Sequence, residues 1–219
     1  MTPIFGPTTV TLSQAVSWAH QRGAHQRFVD VLPLYLKHAA RYGMPSENPI
    51  GQASWETNDG KYTGQVPPSY HNWCGLKTKD ATGDRPEDHY VFANDEQGVV
   101  VHLQHLARYG GRTPASLPDP VVDPRFHLVT NFTDTMEGLG GAWAPSASYG
   151  TNVVKRINSL KAHMQAQIPG FIWIPADAEH FAAGRQGKRI IGGAQHYSAG
   201  PNSVNWLSTT SKPPVSVQF

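Results

Sequence analysis

Residues 47–64 read ENPIGQASWETNDGKYTG, and the break in the middle of this stretch decides how the chain is built. Asn48 can cap a helix and Pro49 suits a first helical position. Ile50, Ala53 and Thr57 then fall on one stripe. The run Asn58-Asp59-Gly60 should end the helix, because these residues favour turns. A tryptophan, Trp55, and a carboxylate, Glu56, therefore occupy the last turn. The partial negative charge of a helix C-terminus disfavours a carboxylate there. An apolar wall from Trp55 would act the same way and keep the proton on near neutral pH. A protonated carboxyl in a cleft is the acid that glycosidic cleavage needs. The bland alternative is a solvated helix-end glutamate, and periodicity does not choose between them.

Outward from this stretch the periodicity is helical. Residues 11–22 form a helix with Thr11 or Ser13 as N-cap and Gly23 as its stop. A second helix begins near Phe28, and Pro33 either kinks it or restarts it. Leu32, Tyr35, Leu36, Ala39 and Tyr42 share a face, with Gly43 placed to end it. Residues 61–93 lack a helical period and read as loops with a short hairpin. Residues 95–109 open with acids, close with Arg108 and stop at Gly110-Gly111, a charge order that suits the helix dipole. A Pro-rich connection, 112–133, leads to a short helix at 133–140. The last helix, 151–166, carries Val153, Val154, Ile157, Leu160 and Met164 on one side. After Gln167 the texture turns aromatic, Pro-punctuated and strand-like. The expected class is mainly α, or α+β, with a small β element at 75–93. The expected division is 1–167 and 168–219.

The 219 residues include 39% hydrophobic residues, enough for a packed core, and a formal net charge of +2. That charge is too weak to argue for nucleic acid, although a mildly basic surface suits an anionic polymer such as a cell wall. No apolar run is long enough to span a membrane. The N-terminus lacks the basic start and apolar stretch of a secretory signal. One cysteine, Cys74, excludes an intrachain disulfide. Six Trp, eight Tyr and eight Phe accompany 21 Gly and 18 Pro, which suits a groove whose rings stack on sugars and equally suits long ordered loops.

The run QASWETNDGKYTGQVPPSYHNWCGLKTK resembles the signature of the bacterial and phage glucosaminidase family of cell-wall hydrolases. There a helix ending A-x-x-x-E-[ST]-x-x-G is followed by N-x-x-G-[IL]-K, here Gln52 to Gly60 and Asn72 to Lys77. HYVFANDEQGVVVHLQHLARYGG, DPRFH and GAWAPSASYGTNVVKRI continue the likeness in order over about residues 11–166. The resemblance implies a lysozyme-like helical fold and cleavage of the β-1,4 bond after N-acetylglucosamine. It makes Glu56 the catalytic acid and Tyr149 a cleft tyrosine able to bond the acid or the acetamido group. Trp55, Tyr62, His71, Asn72, Trp73 and Lys77 would line the groove. The second carboxylate is variable in this family. Asp80, Asp84, Glu87 and Asp88 are open, with Asp84 and Asp88 preferred. The substrate's own acetamido group is a third possibility.

His71, Cys74 and His89, and the pair His102 and His105, do not make a convincing zinc set, so no metal and no cofactor is expected in this part. Residues 171–219 resemble the start of a zinc-dependent N-acetylmuramoyl-L-alanine amidase domain. His196 in HYSAG matches its first zinc ligand, while the remaining ligands would lie beyond Phe219. The expectation is an incomplete α/β amidase-like segment, a lone vestigial ligand, and neither amidase activity nor stoichiometric zinc. The expected partner is the glycan strand of peptidoglycan, bound by a monomer acting as a phage or prophage lysin or virion component. The same fold also serves muramidases and lytic transglycosylases, and an inactive wall-binding module is the non-enzymatic rival.

Overall fold

A computed structural model describes residues 1–163. The boundary expected near residue 167, the amidase-like segment 168–219 and His196 lie outside them. Five helices carry the architecture: α1 Leu12–Gln21, α2 Gln26–Arg41, α3 Glu47–Glu56, α4 Asp95–Tyr109 and α5 Tyr149–Ala162. Single 3-10 turns punctuate the loops between them. No helix among the described residues is long and apolar enough to cross a membrane.

The helix ends follow from local chemistry. Thr11 accepts the Gln14 amide to cap α1, and Asn94 accepts the Gln97 amide to cap α4. Gly23, Gly43 and Gly111 take left-handed φ of 62°, 66° and 80° after α1, α2 and α4. Each lets the next amide reach back five residues, as Ala24 N–H does to Ala19 O at 3.0 Å and Met44 N–H to Ala39 O at 3.0 Å. The acids of the first turn of α4 and its terminal Arg108 sit as the dipole prefers.

The expected start of α3 shifts, and α5 begins at Tyr149 rather than 151. Helix α3 begins at Glu47 behind Ser46, so Pro49 is its third residue rather than its first. This is tolerated because the first four amides of a helix have no partner inside it. Asn48 is not the cap: its side-chain amide donates to Pro3 O at 2.9 Å and ties down the N-terminal segment. Helix α2 runs through Pro33 without restarting. The 133–140 segment shrinks to one 3-10 turn, Glu137–Leu139, among glycines 138, 140 and 141. The hairpin expected at 75–93 shrinks too. It is a single antiparallel bridge, Lys77 to His89, flanked by Thr78 N–H to Asp88 O at 2.7 Å and Tyr90 N–H to Leu76 O at 3.0 Å.

Helix α4 is the spine, with Val99, Leu103, Leu106 and Ala107 fully buried among Phe28, Leu32 and Tyr35 from α2, Ile50 from α3 and Ile157 from α5. Helices α3 and α5 pack unusually close. A Cβ on Gly51 would come within 2.6 Å of Ile157 Cγ1, so only glycine admits that approach. This crossing brings the C-terminus of α3 beside the N-terminus of α5, which sets Glu56 next to Tyr149.

Candidate active site

What holds Glu56 is the chain just after it. Asn58, Asp59 and Gly60 take left-handed φ of 49°, 59° and 75°, and Tyr62 follows at 50°. Such a run is unfavourable for non-glycine residues unless the surroundings impose it. The Asp59 amide reaches back to Ser54 O at 2.8 Å, and Thr57 Oγ1 accepts the Gly60 amide at 2.9 Å. The Asp59 carboxylate is buried. It accepts from Ser54 Oγ and takes Arg22 in a fork, Nε to Oδ1 at 3.1 Å and Nη2 to Oδ2 at 2.8 Å. Arg156 of α5 stands 3.7 Å from Oδ2. The sequence break is thus a built turn, and Asp59 is its clamp.

Glu56 projects from this turn, half-buried, into a cleft of about 530 Å³. Its Oε1 accepts two donors, the Trp143 indole N–H at 3.1 Å and the Tyr149 hydroxyl. Burial pushes its pKa from the ordinary 4.5 up to about 7, while the bonds from Tyr149 and Trp143 pull it the other way. The neighbouring Trp55 is 39% exposed, with Arg156 5.8 Å from its ring centroid, and the indole hydrogen-bonded to Glu56 is that of Trp143. Gly75, at φ 63°, runs so close that a Cβ there would lie 3.3 Å from Glu56 Oε2.

Of the other expected groove residues, Trp55, Tyr62, Lys77, Asp84 and Tyr149 line the cleft. Tyr62 packs edge-on against Trp73, ring centroids 5.5 Å apart. Asp84 is 73% exposed and pairs with Lys77 at 3.1 Å and His89 at 3.5 Å. Lys77 also donates to Gly83 O at 2.7 Å.

Four of the expected site residues are not among those that line the cleft. Asp88 does not face the cleft. Its carboxylate accepts the Arg85 amide at 3.0 Å and the Thr82 amide at 3.2 Å, which lowers its pKa and commits it to the 82–88 turn. His71, Asn72 and Trp73 instead hydrogen-bond within and beside their own loop. Asn72 donates to Leu76 O at 2.9 Å and Tyr90 O at 3.0 Å and accepts the Leu76 amide at 2.9 Å. Trp73, almost wholly buried, donates to Asp95 Oδ1 at 2.9 Å, and His71 Nδ1 lies 2.8 Å from the same oxygen. These three residues fold the loop that presents Gly75 to Glu56.

The sequence reading missed several participants. Trp143 carries no spacing signal, since it arrives from a loop far along the chain. Gln52 stands one turn before Glu56 on α3, an i, i+4 relation that points it toward the same region. It donates to Tyr149 OH at 2.8 Å and accepts at Oε1 from His102 Nε2, 3.0 Å away. The other histidine of the H-x-x-H pair, His105, lines the cleft. Its Nδ1 lies 2.8 Å from the buried Asp123 carboxylate, and its ring meets Trp143 edge-on at 4.9 Å. Arg125 also reaches the cleft and donates to Thr78 O at 2.9 Å. No three His, Cys, Asp or Glu side chains among the described residues converge as a metal site.

The arrangement can hold a proton on a half-buried carboxyl near neutral pH and release it to a group entering the cleft. Compared with known proteins, the chain matches no family model, no curated protein and no solved structure.

Proposed function

We propose that the chain is a peptidoglycan hydrolase that cleaves the β-1,4 bond after N-acetylglucosamine, with Glu56 as general acid. One observation carries the reading: a half-buried carboxyl, raised to about 7, lies between two fixed donors in an aromatic-lined cleft. The resemblance of Gln52–Lys77 to the glucosaminidase signature supplies the substrate class. Glu56 gives its proton to the glycosidic oxygen as the bond from that oxygen to the anomeric carbon breaks. The carboxylate that remains keeps the Trp143 and Tyr149 hydrogen bonds, which stabilise the charge as it forms. Water then adds its hydroxyl to the anomeric carbon, and its other proton restores Glu56 to the acid form. Trp55, exposed at the cleft, offers an indole to sugars, and Lys77 a cation at the rim.

A second reading draws support from the same cleft. Asp84 is the other carboxylate lining it, and Asp84 is largely solvated and paired with Lys77. A site with a single tuned acid also suits a muramidase or lytic transglycosylase. Mass spectrometry of digested cell wall separates these readings by the reducing-end sugar. N-acetylglucosamine there supports the proposal, a reducing N-acetylmuramic acid supports a muramidase, and a non-reducing 1,6-anhydro end supports a transglycosylase. Binding to walls without any cleavage would make the chain a wall-binding module.

A further inference from the structure

The buried interior behind Glu56 contains more polar chemistry than packing requires. Tyr35, Gln52 and His102 are all fully buried, yet each is hydrogen-bonded, and the bonds form a line. Tyr35 OH lies 2.8 Å from His102 Nδ1. His102 Nε2 lies 3.0 Å from Gln52 Oε1, Gln52 Nε2 lies 2.8 Å from Tyr149 OH, and Tyr149 OH meets Glu56 Oε1.

The direction of each bond follows from what each group can do. Burial pushes Tyr35 well above the ordinary phenol range, so it keeps its hydrogen and donates to Nδ1. Burial, with His105 one turn on, pushes His102 down to about 3, so the ring is neutral. A neutral imidazole accepting at Nδ1 carries its hydrogen on Nε2, which donates to Gln52 Oε1. The Gln52 amide then donates to the Tyr149 oxygen, leaving the Tyr149 hydrogen for Glu56. Trp143 can only donate, so Glu56 Oε1 receives two donors.

We propose that Gln52, His102 and Tyr35 are positioning residues. Their one-way chain of hydrogen bonds locks the Tyr149 hydroxyl onto Glu56 Oε1 and leaves Oε2, beside Gly75, as the oxygen that carries and delivers the proton. This rests on the reading of Glu56 as the acid, and it adds which oxygen acts and what fixes it. The chain reaches from α2 through the central helix α4 and α3 to the first residue of α5. It makes the acid's geometry a property of the core rather than of a surface loop. The other titratable groups lining the cleft are the Cys74 thiol and the Tyr62 and Tyr109 phenols, all kept neutral by burial, and Lys77, Asp84, His89, His105 and Arg125. None of these is a member of the chain.

The test titrates Glu56 directly in the full chain by the carbon shifts of its side-chain carboxyl, which needs no enzymatic activity. Tyr149→Phe should move the midpoint up from about 7 by about 1 unit or more. Gln52→Met should move it up by about 0.5 unit, as Tyr149 loses the donor that orients and polarises it. In the Tyr149→Phe background Gln52→Met should add nothing. No shift in Gln52→Met, or an equal shift in both backgrounds, would overturn the chain. If Gln52→Met does not fold, nitrogen shifts of His102 in the unaltered protein decide. A neutral ring with its proton on Nε2 from about pH 5 to 8 is expected, and a proton on Nδ1 would reverse the line and overturn the proposal. Wall digestion by the same samples reports separately on the hydrolase reading. Loss of all cleavage at every pH in the unaltered protein would remove that reading and leave the titration result standing.

Discussion

Asp59→Ala should strongly destabilise the turn that follows Glu56 while leaving Glu56 itself in place. The Asp59 carboxylate is 3% exposed and the Arg22 side chain 23% exposed, so their fork lies mostly out of water. Removing one partner of a buried pair costs about 3–5 kcal/mol. Arg22 recovers some hydration, which places this contribution at the lower end, about 2–3 kcal/mol. Alanine at a φ of 59° adds about 1 kcal/mol of backbone strain. The lost Ser54 bond is part of the same network and is not counted separately. The expected total is about 3–4 kcal/mol in urea unfolding with an unchanged slope. Asp59→Asn keeps a short polar residue suited to the left-handed region and should lose about half as much. A loss below about 1 kcal/mol for Asp59→Ala would refute the clamp. It would mean that Thr57, Gly60 and the packing of Phe28 hold the turn without it.

Glu56 titrates from about 7 in the folded chain against an ordinary 4.5, so folding binds its proton more tightly than the unfolded chain does. Its stabilising proton is fully present below 4.5 and lost as pH rises through about 7, and unfolding of Glu56→Gln should therefore be harder than wild type above pH 7, by about 2–3 kcal/mol. Cleavage that needs the protonated acid should likewise decline through about pH 7, read from a pH–rate profile on purified walls. Gly75→Ala should slow cleavage at least tenfold while costing about 1 kcal/mol in thermal unfolding, since its Cβ would press on Glu56 Oε2 at a left-handed φ of 63°. Asp88→Ala should destabilise by about 1–2 kcal/mol, because two backbone amides lose their acceptor. Asp84→Ala should change stability by less than about 0.5 kcal/mol, since its ion pairs are solvated.

The helices were legible because their signals are local. The acids, Arg108 and Gly110-Gly111 of 95–109 return as α4 with the expected bounds. The α3 start was misread because Asn48-Pro49 satisfies a capping rule that Asn48 abandons to hold Pro3. The raised pKa of Glu56 was legible for a partly wrong reason. Its pKa is raised by burial, but the indole that touches it is Trp143, whose place near Glu56 depends on a long-range contact. Asn72 and Trp73 were read as groove because their motif stands near the acid. Their polar atoms are consumed by Leu76, Tyr90 and Asp95, which only the fold brings together. Gln52 and His102 escaped for the opposite reason: buried polar residues show their partners only once helices α3 and α4 are packed.

The most direct measurement is product analysis of cell wall digested by the unaltered chain and by Glu56→Gln. The account expects fragments whose reducing end is N-acetylglucosamine from the first, and a loss of at least about 100-fold from the second, the scale of a missing general acid. Full-rate lysis by Glu56→Gln, or fragments ending in N-acetylmuramic acid, would contradict it.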